Sequence, residues 1–171
     1  MAERRSIRST KKLATCAALT ALALIFSYVE FLVPISLGIP GIKLGLANIV
    51  VLIAIYSLGS GYGLFINLAR IALSALLFGN VFSAIYALSG GLLSLAVMLL
   101  AKKAGVFSVI GVSIAGGVFH NFGQLLIAAI VMQTPKILYY FPVLTIAGLI
   151  TGILTGFIAT LALRALKYLR K

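Results

Sequence analysis

The stretch Lys43-Leu44-Gly45-Leu46-Ala47-Asn48 sets a lysine at the mouth of an apolar run that continues from Ile49 to Ile55, with an amide about one turn inside. An amide in hydrocarbon without a partner costs several kcal/mol. Asn48 must therefore face protein or a water-filled pocket. It reads either as a helix-packing amide beneath a headgroup-binding lysine or as the wall of a solute site. The other polar residues set in apolar surroundings are Glu30, Asn67, Arg70, His120, Asn121 and Gln124. Asn67 and Arg70 are three apart with Ser74 four further on, so the three share a helix face. His120 and Gln124, four apart, share another. Ionisable groups at membrane depth face an interior or a cavity. Arg70 is read in two ways. It is either a structural partner of Glu30, or a guanidinium that grips an anionic or carbonyl group of a ligand while Glu30 orients it. His120 is similarly a packing residue or a titrating group.

Bond-making chemistry has little to work with. The two acidic residues are Glu3 and Glu30, and there is no aspartate. One histidine with one distant cysteine, Cys16, does not make an ordinary zinc site. No Gly-x-x-x-x-Gly-Lys-Ser/Thr phosphate loop occurs, and the glycine-rich Gly59-Ser60-Gly61-Tyr62-Gly63 follows no strand. The expected assignment is therefore a binding protein, with no cofactor and no metal.

The elements that must position these residues are membrane helices. Hydrophobic residues make up 63% of the 171, and charged residues 9%. Helices that are apolar all round imply lipid as the solvent. Six spans of about 20 residues fit the length. The expected spans are 13–33, 44–58, 64–78, 81–101, 106–133 and 142–168. Span 1 stops at Pro34, and residues 35–42, with Gly38, Pro40 and Gly41, form an outer loop. Span 2, at roughly 22 Å, is shorter than the hydrocarbon core. Gly59 to Gly63 turns on the inner side, and Gly79-Asn80 turns tightly outside. Thr134-Pro135-Lys136 opens the last outer loop, which includes Tyr139, Tyr140 and Phe141. The two outer loops could cover a pocket or serve as connectors with interfacial aromatic anchors.

The net charge of +12 does not point to nucleic acid, because of where the charge lies. Eleven of the fourteen basic residues fall in three places: residues 4–12, Lys102-Lys103, and residues 164–171. The positive-inside rule makes those places cytoplasmic, with both termini inside and the basic residues against anionic lipid. Residues 1–12 form a basic segment, 13–168 one membrane domain and 169–171 a basic tail. On this topology Glu30, Asn48, Arg70, His120, Asn121 and Gln124 share the middle-to-outer depth although they come from four helices. Ala14, Ala17, Ala18 and Ala21 form a smooth stripe on span 1, where a helix of this chain or of a partner could approach closely.

Six spans, a basic inner side, the alanine stripe and an outer polar pocket resemble the substrate-binding (S) subunit of energy-coupling-factor (ECF) importers. Five stretches are similar to the bacterial Gx transporter family, also labelled heptaprenyl diphosphate synthase component I, over about residues 10–168. They are Lys43 to Asn48, Arg70 in span 3, Phe78-Gly79-Asn80, Ser89-Gly90-Gly91 and His120-Asn121-Phe122-Gly123-Gln124. The resemblance implies an all-α, six-helix bundle in the bacterial plasma membrane. It implies uptake of a vitamin- or cofactor-like molecule bound at Glu30, Lys43, Asn48, Asn67, Arg70, His120, Asn121 and Gln124. The alanine stripe would meet a transmembrane coupling subunit, and separate ATPase subunits would use the ATP. The synthase label implies another role. Prenyl diphosphate synthases hold magnesium with aspartate-rich motifs, which this chain lacks, so it would be a non-catalytic membrane accessory of a polyprenyl diphosphate or quinone pathway enzyme.

Overall fold

A computed structural model describes residues 2–32 and 45–169, all of it helix and short connections. The helices are α1 (Ala2–Leu32), α2 (Asn48–Ser57), α3 (Ser60–Leu77), α4 (Val81–Ala104), α5 (Val109–Val131) and α6 (Phe141–Leu169), with a 3-10 turn at Pro135–Tyr140 before α6. Five of the helical segments are long and apolar enough to cross a membrane. The outer loop expected at 35–42, Pro34 and Lys43 lie outside the described residues.

The exception in length is α2. Its 10 residues rise roughly 15 Å, about half a hydrocarbon core. The expected span at 44–58 therefore becomes a short helix. Asn48 through Ile55 are all buried, and α2 packs against each of the other five helices. It is apolar on every face because protein surrounds it on every face. Ile49, Leu52, Ile53 and Ile55 meet Leu95, Met98 and Val112 in the main core cluster.

The turn expected at Gly59 to Gly63 shrinks to Leu58 and Gly59, and Ser60 already opens α3. Gly59 has φ +111° and ψ 171°, a conformation that is essentially restricted to glycine. Gly63 serves contact instead, since a Cβ there would collide with Ile55. The Gly79-Asn80 turn is present. Asn80 accepts from the Ser83 N–H at 2.8 Å, and the Ser83 hydroxyl accepts from the Asn80 N–H at 3.2 Å, a reciprocal cap. α4 ends at Gly105 in the left-handed region, with Lys102 and Lys103 in its last turn. α5 starts at Val109, not Val106, because Ser108 caps it by accepting from the Gly111 N–H at 3.2 Å.

α5 and α6 approach to backbone contact. A Cβ on Gly148 would lie 2.8 Å from Val118 Cα, on Gly152 2.6 Å from Ile114 Cα, and on Gly156 2.8 Å from Ile110 Cα. Such small-residue seams let helices pack without a hydrophobic driving force. On α1 the buried positions are Cys16, Ala23, Ser27 and Glu30, while Ala14, Ala17, Ala18 and Ala21 are exposed. The alanine stripe is thus not used for packing among the described helices.

Side-chain contacts fix which helix ends lie together. Glu30 meets Leu46 at the entry to α2. The Lys102 ammonium donates to the Ile55 carbonyl near the exit of α2 and lies 4.6 Å over the Tyr56 ring. Met98 packs on Gly116, and Gly156 on Ile110. One end of the bundle therefore carries the starts of α1, α3 and α5 and the ends of α2, α4 and α6. Lys11, Lys12, Lys102, Lys103, Arg164 and Lys167 all lie on elements at that end.

Candidate functional site

Polar residues of α3 and α5 meet around the Gly90-Gly91 pair of α4, and those at the entry to α2 lie beside them. On one side, α3 places Asn67 against Gly91, where a Cβ would come within 3.0 Å of both Asn67 Nδ2 and Oδ1. Arg70, 3% exposed, donates from Nε at 3.2 Å and from Nη2 at 2.9 Å to Asn67 Oδ1. The i, i+3 spacing of the two residues makes this grip local to one helix face. Glu30 supplies the attracting charge that acts on Arg70.

On the other side, α5 places His120 and Gln124 against Gly90. A Cβ there would lie 2.8 Å from Gln124 Cγ, 2.8 Å from the His120 carbonyl oxygen and 3.0 Å from His120 Nδ1. The approach to α2 closes the layer. Gly45, at φ +80°, leaves room for His120, whose Cδ2 would be 3.0 Å from an added Cβ, and for Asn48, whose Nδ2 would be 2.9 Å away. Asn48 Nδ2 donates to the Ser94 hydroxyl at 3.4 Å. The Leu46 N–H donates to Glu30 Oε1 at 2.7 Å, so the carboxylate of α1 caps the first turn before α2.

Five of the expected site residues are thus brought together: Asn48, Asn67, Arg70, His120 and Gln124. Glu30 joins them through the entry to α2 and through its field on Arg70. Asn121 turns away, and its Nδ2 donates to the Leu144 carbonyl of α6 at 2.9 Å. Neighbours on a helix point about 100° apart, so His120 and Asn121 cannot both face α4. Lys43 lies outside the described residues.

Sequence reasoning missed Ser94 and the structural part played by Gly45, Gly90 and Gly91. A Gly-Gly pair in a helix costs about 1 kcal/mol per residue against alanine. That cost was the available signal that something approaches α4 closely.

Among the described residues, Asn48 Oδ1, Asn67 Nδ2 and Asn121 Oδ1 are buried with no hydrogen-bond partner. Each such atom costs about 1–3 kcal/mol. The layer can therefore bind by hydrogen bonds and by the charge of the Arg70 guanidinium. It presents no cluster of His, Cys, Asp or Glu able to hold a metal, among the described residues.

The fold and this layer define the class: an all-helical, membrane-type bundle with a buried polar band enclosed by helices that are apolar outside. The family follows from a direct match. The model of heptaprenyl diphosphate synthase component I matches residues 19–162, and the chain belongs to that family. No curated protein and no solved structure matches it.

Proposed function

We propose that the chain is the membrane-embedded, solute-binding subunit of an ECF-type importer for a vitamin- or cofactor-like molecule. The observation that carries this reading is the convergence of Asn67, His120 and Gln124 on one glycine pair, with Arg70 held by Asn67 and Asn48 joining through Gly45 and Ser94, and with buried amide atoms that lack partners among the described residues. Amides used only for packing would be expected to satisfy each other. In this reading the ligand completes the hydrogen bonds of Asn48 and Asn67 and meets Arg70, with Glu30 and Lys43 toward the entrance and Asn121 behind α5. Six segments sit in the bacterial plasma membrane with both termini and the basic end in the cytoplasm. The exposed stripe Ala14, Ala17, Ala18 and Ala21 meets the coupling subunit, and partner ATPases supply the energy. The test is native mass spectrometry of the purified chain. A retained small molecule that is lost in Arg70→Ala, with the helical content intact, supports the reading. The same molecule retained equally in Arg70→Ala removes Arg70 from the site.

A second reading rests on the family name. A component I of a diphosphate synthase would be a non-catalytic membrane partner of a soluble prenyl synthase. Mild-detergent co-purification from the native membrane separates the two. Coupling and ATPase subunits support the first reading, and a prenyl synthase supports the second.

A further inference from the structure

Away from the polar layer, α1 and α3 leave a cavity of about 320 Å³ between them toward the basic end, lined by Leu13, Cys16, Gly61, Tyr62 and Phe65. The lining is almost wholly apolar. Leu13 is 67% and Phe65 60% exposed, so the cavity opens sideways, toward the space that lipid would fill. The space at Gly61 is open, since a Cβ there would meet nothing within 4 Å.

A lysine lies one helical turn from the groove. Lys12 lies four residues before Cys16 and therefore on the same helix face, one turn nearer the chain start. Lys11 and Lys12 are both exposed. The N-cap of α3, Gly59, offers no side-chain cap. The first N–H groups of α3, at Ser60 and Gly61, therefore have no acceptor within their own helix. An apolar floor with an exposed lysine one turn away and the uncapped start of α3 beside it suits an occupant with a hydrocarbon chain and an anionic head.

We infer that this groove is a binding site for one anionic phospholipid. An acyl chain lies against Leu13, Cys16 and Phe65, and the phosphate meets Lys12 and the first turn of α3. Basic recesses between membrane helices favour anionic headgroups in general. Here the recess is a built notch, distinct from the ring of charge around the rest of that end.

The chain contains no tryptophan, so one introduced indole reports locally. Phe65→Trp places it in the groove. Leu161→Trp, 49% exposed on α6, is the control, because α6 packs against neither α1 nor α3 among the described residues. Each variant is reconstituted in phosphatidylcholine vesicles and titrated with brominated dioleoylphosphatidylglycerol or brominated dioleoylphosphatidylcholine. The Phe65→Trp reporter should be quenched at a mole fraction of the anionic lipid about fivefold or more lower than that of the zwitterionic one, at about fivefold per engaged lysine. Leu161→Trp should show a clearly smaller preference. Adding Lys11→Gln and Lys12→Gln to the groove reporter should remove most of its preference. Equal quenching by the two lipids, an equal preference at both reporters, or a preference that survives the two glutamines overturns the assignment. A protein occupant would show as no quenching by either lipid, which overturns it too.

Discussion

Replacing Asn67 by Leu keeps nearly the same outline while removing the one acceptor that takes two bonds from the Arg70 guanidinium. Arg70 is 3% exposed and Asn67 fully buried, so water cannot replace what is lost. Hydrogen bonds to a charged group are worth about 1.5–3 kcal/mol each. Breaking a buried charged arrangement from one side costs about 3–5 kcal/mol. Asn67→Leu should therefore lower stability by about 3–5 kcal/mol, or Tm by about 6–20 °C on the scale for a chain of this size. Arg70→Met removes the charge itself, strands the amide and takes the attracting cation from the Glu30 carboxylate, which keeps the Leu46 N–H, for about 1–3 kcal/mol. If the two losses were independent, the double variant would cost about 4–8 kcal/mol. It should instead cost about 2 kcal/mol, because no unpaired guanidinium is left behind. Thermal unfolding of the four proteins in one detergent measures the cycle. An Asn67→Leu cost below about 1 kcal/mol, or costs that simply add, would refute the claim that Asn67 is what holds Arg70 in the interior.

Gly152→Ala should destabilise by about 1–3 kcal/mol, since its Cβ meets the Ile114 backbone at 2.6 Å and α5 and α6 must part. Gly61→Ala meets nothing and should be neutral or stabilising by up to about 1 kcal/mol; unfolding in the same detergent compares the two. Asn80→Ala removes the Oδ1 acceptor of the Ser83 N–H, leaving only the backbone half of the cap, and should cost about 1 kcal/mol, read by the same unfolding and by faster amide exchange in the first turn of α4. Lys102→Met removes the donor to the Ile55 carbonyl and the cation over Tyr56, and should cost about 2 kcal/mol, again by detergent unfolding. Cys16, 2% exposed, should react with a maleimide far more slowly than a cysteine introduced at the exposed Ala17, when labelling is followed by intact mass.

The helical bundle was legible because apolar runs and breaks are local. Asn80 and Gly105 mark their helix ends by types that cap or adopt a left-handed backbone. The Asn67–Arg70 contact was legible for the same reason, being set by a spacing of three on one helix. The place of α2 was not. A helix apolar all round looks the same in sequence whether lipid or protein covers it, and only the bundle decides. Nor could spacing within α5 decide which of His120 and Asn121 faces α4. Both are buried, and the choice depends on how the glycines of α6 draw α5 toward it. Gly90 and Gly91 were visible as residues but not as a meeting point, because their partners come from two other helices, α3 and α5.

The ten residues of α2 also constrain biogenesis. A segment of that length gives the insertion machinery too little greasy contour to release it sideways by itself. α1 covers one side of it, and the rest of its covering is supplied by α3, α4, α5 and α6, which emerge from the ribosome afterward. The segment must therefore be held at the interface, or carried in as a hairpin with α3, until the later helices close around it. In a nascent chain stalled before α4 emerges, a cysteine placed in α2 should accordingly be labelled by a water-soluble maleimide, whereas in the finished polypeptide it should be shielded.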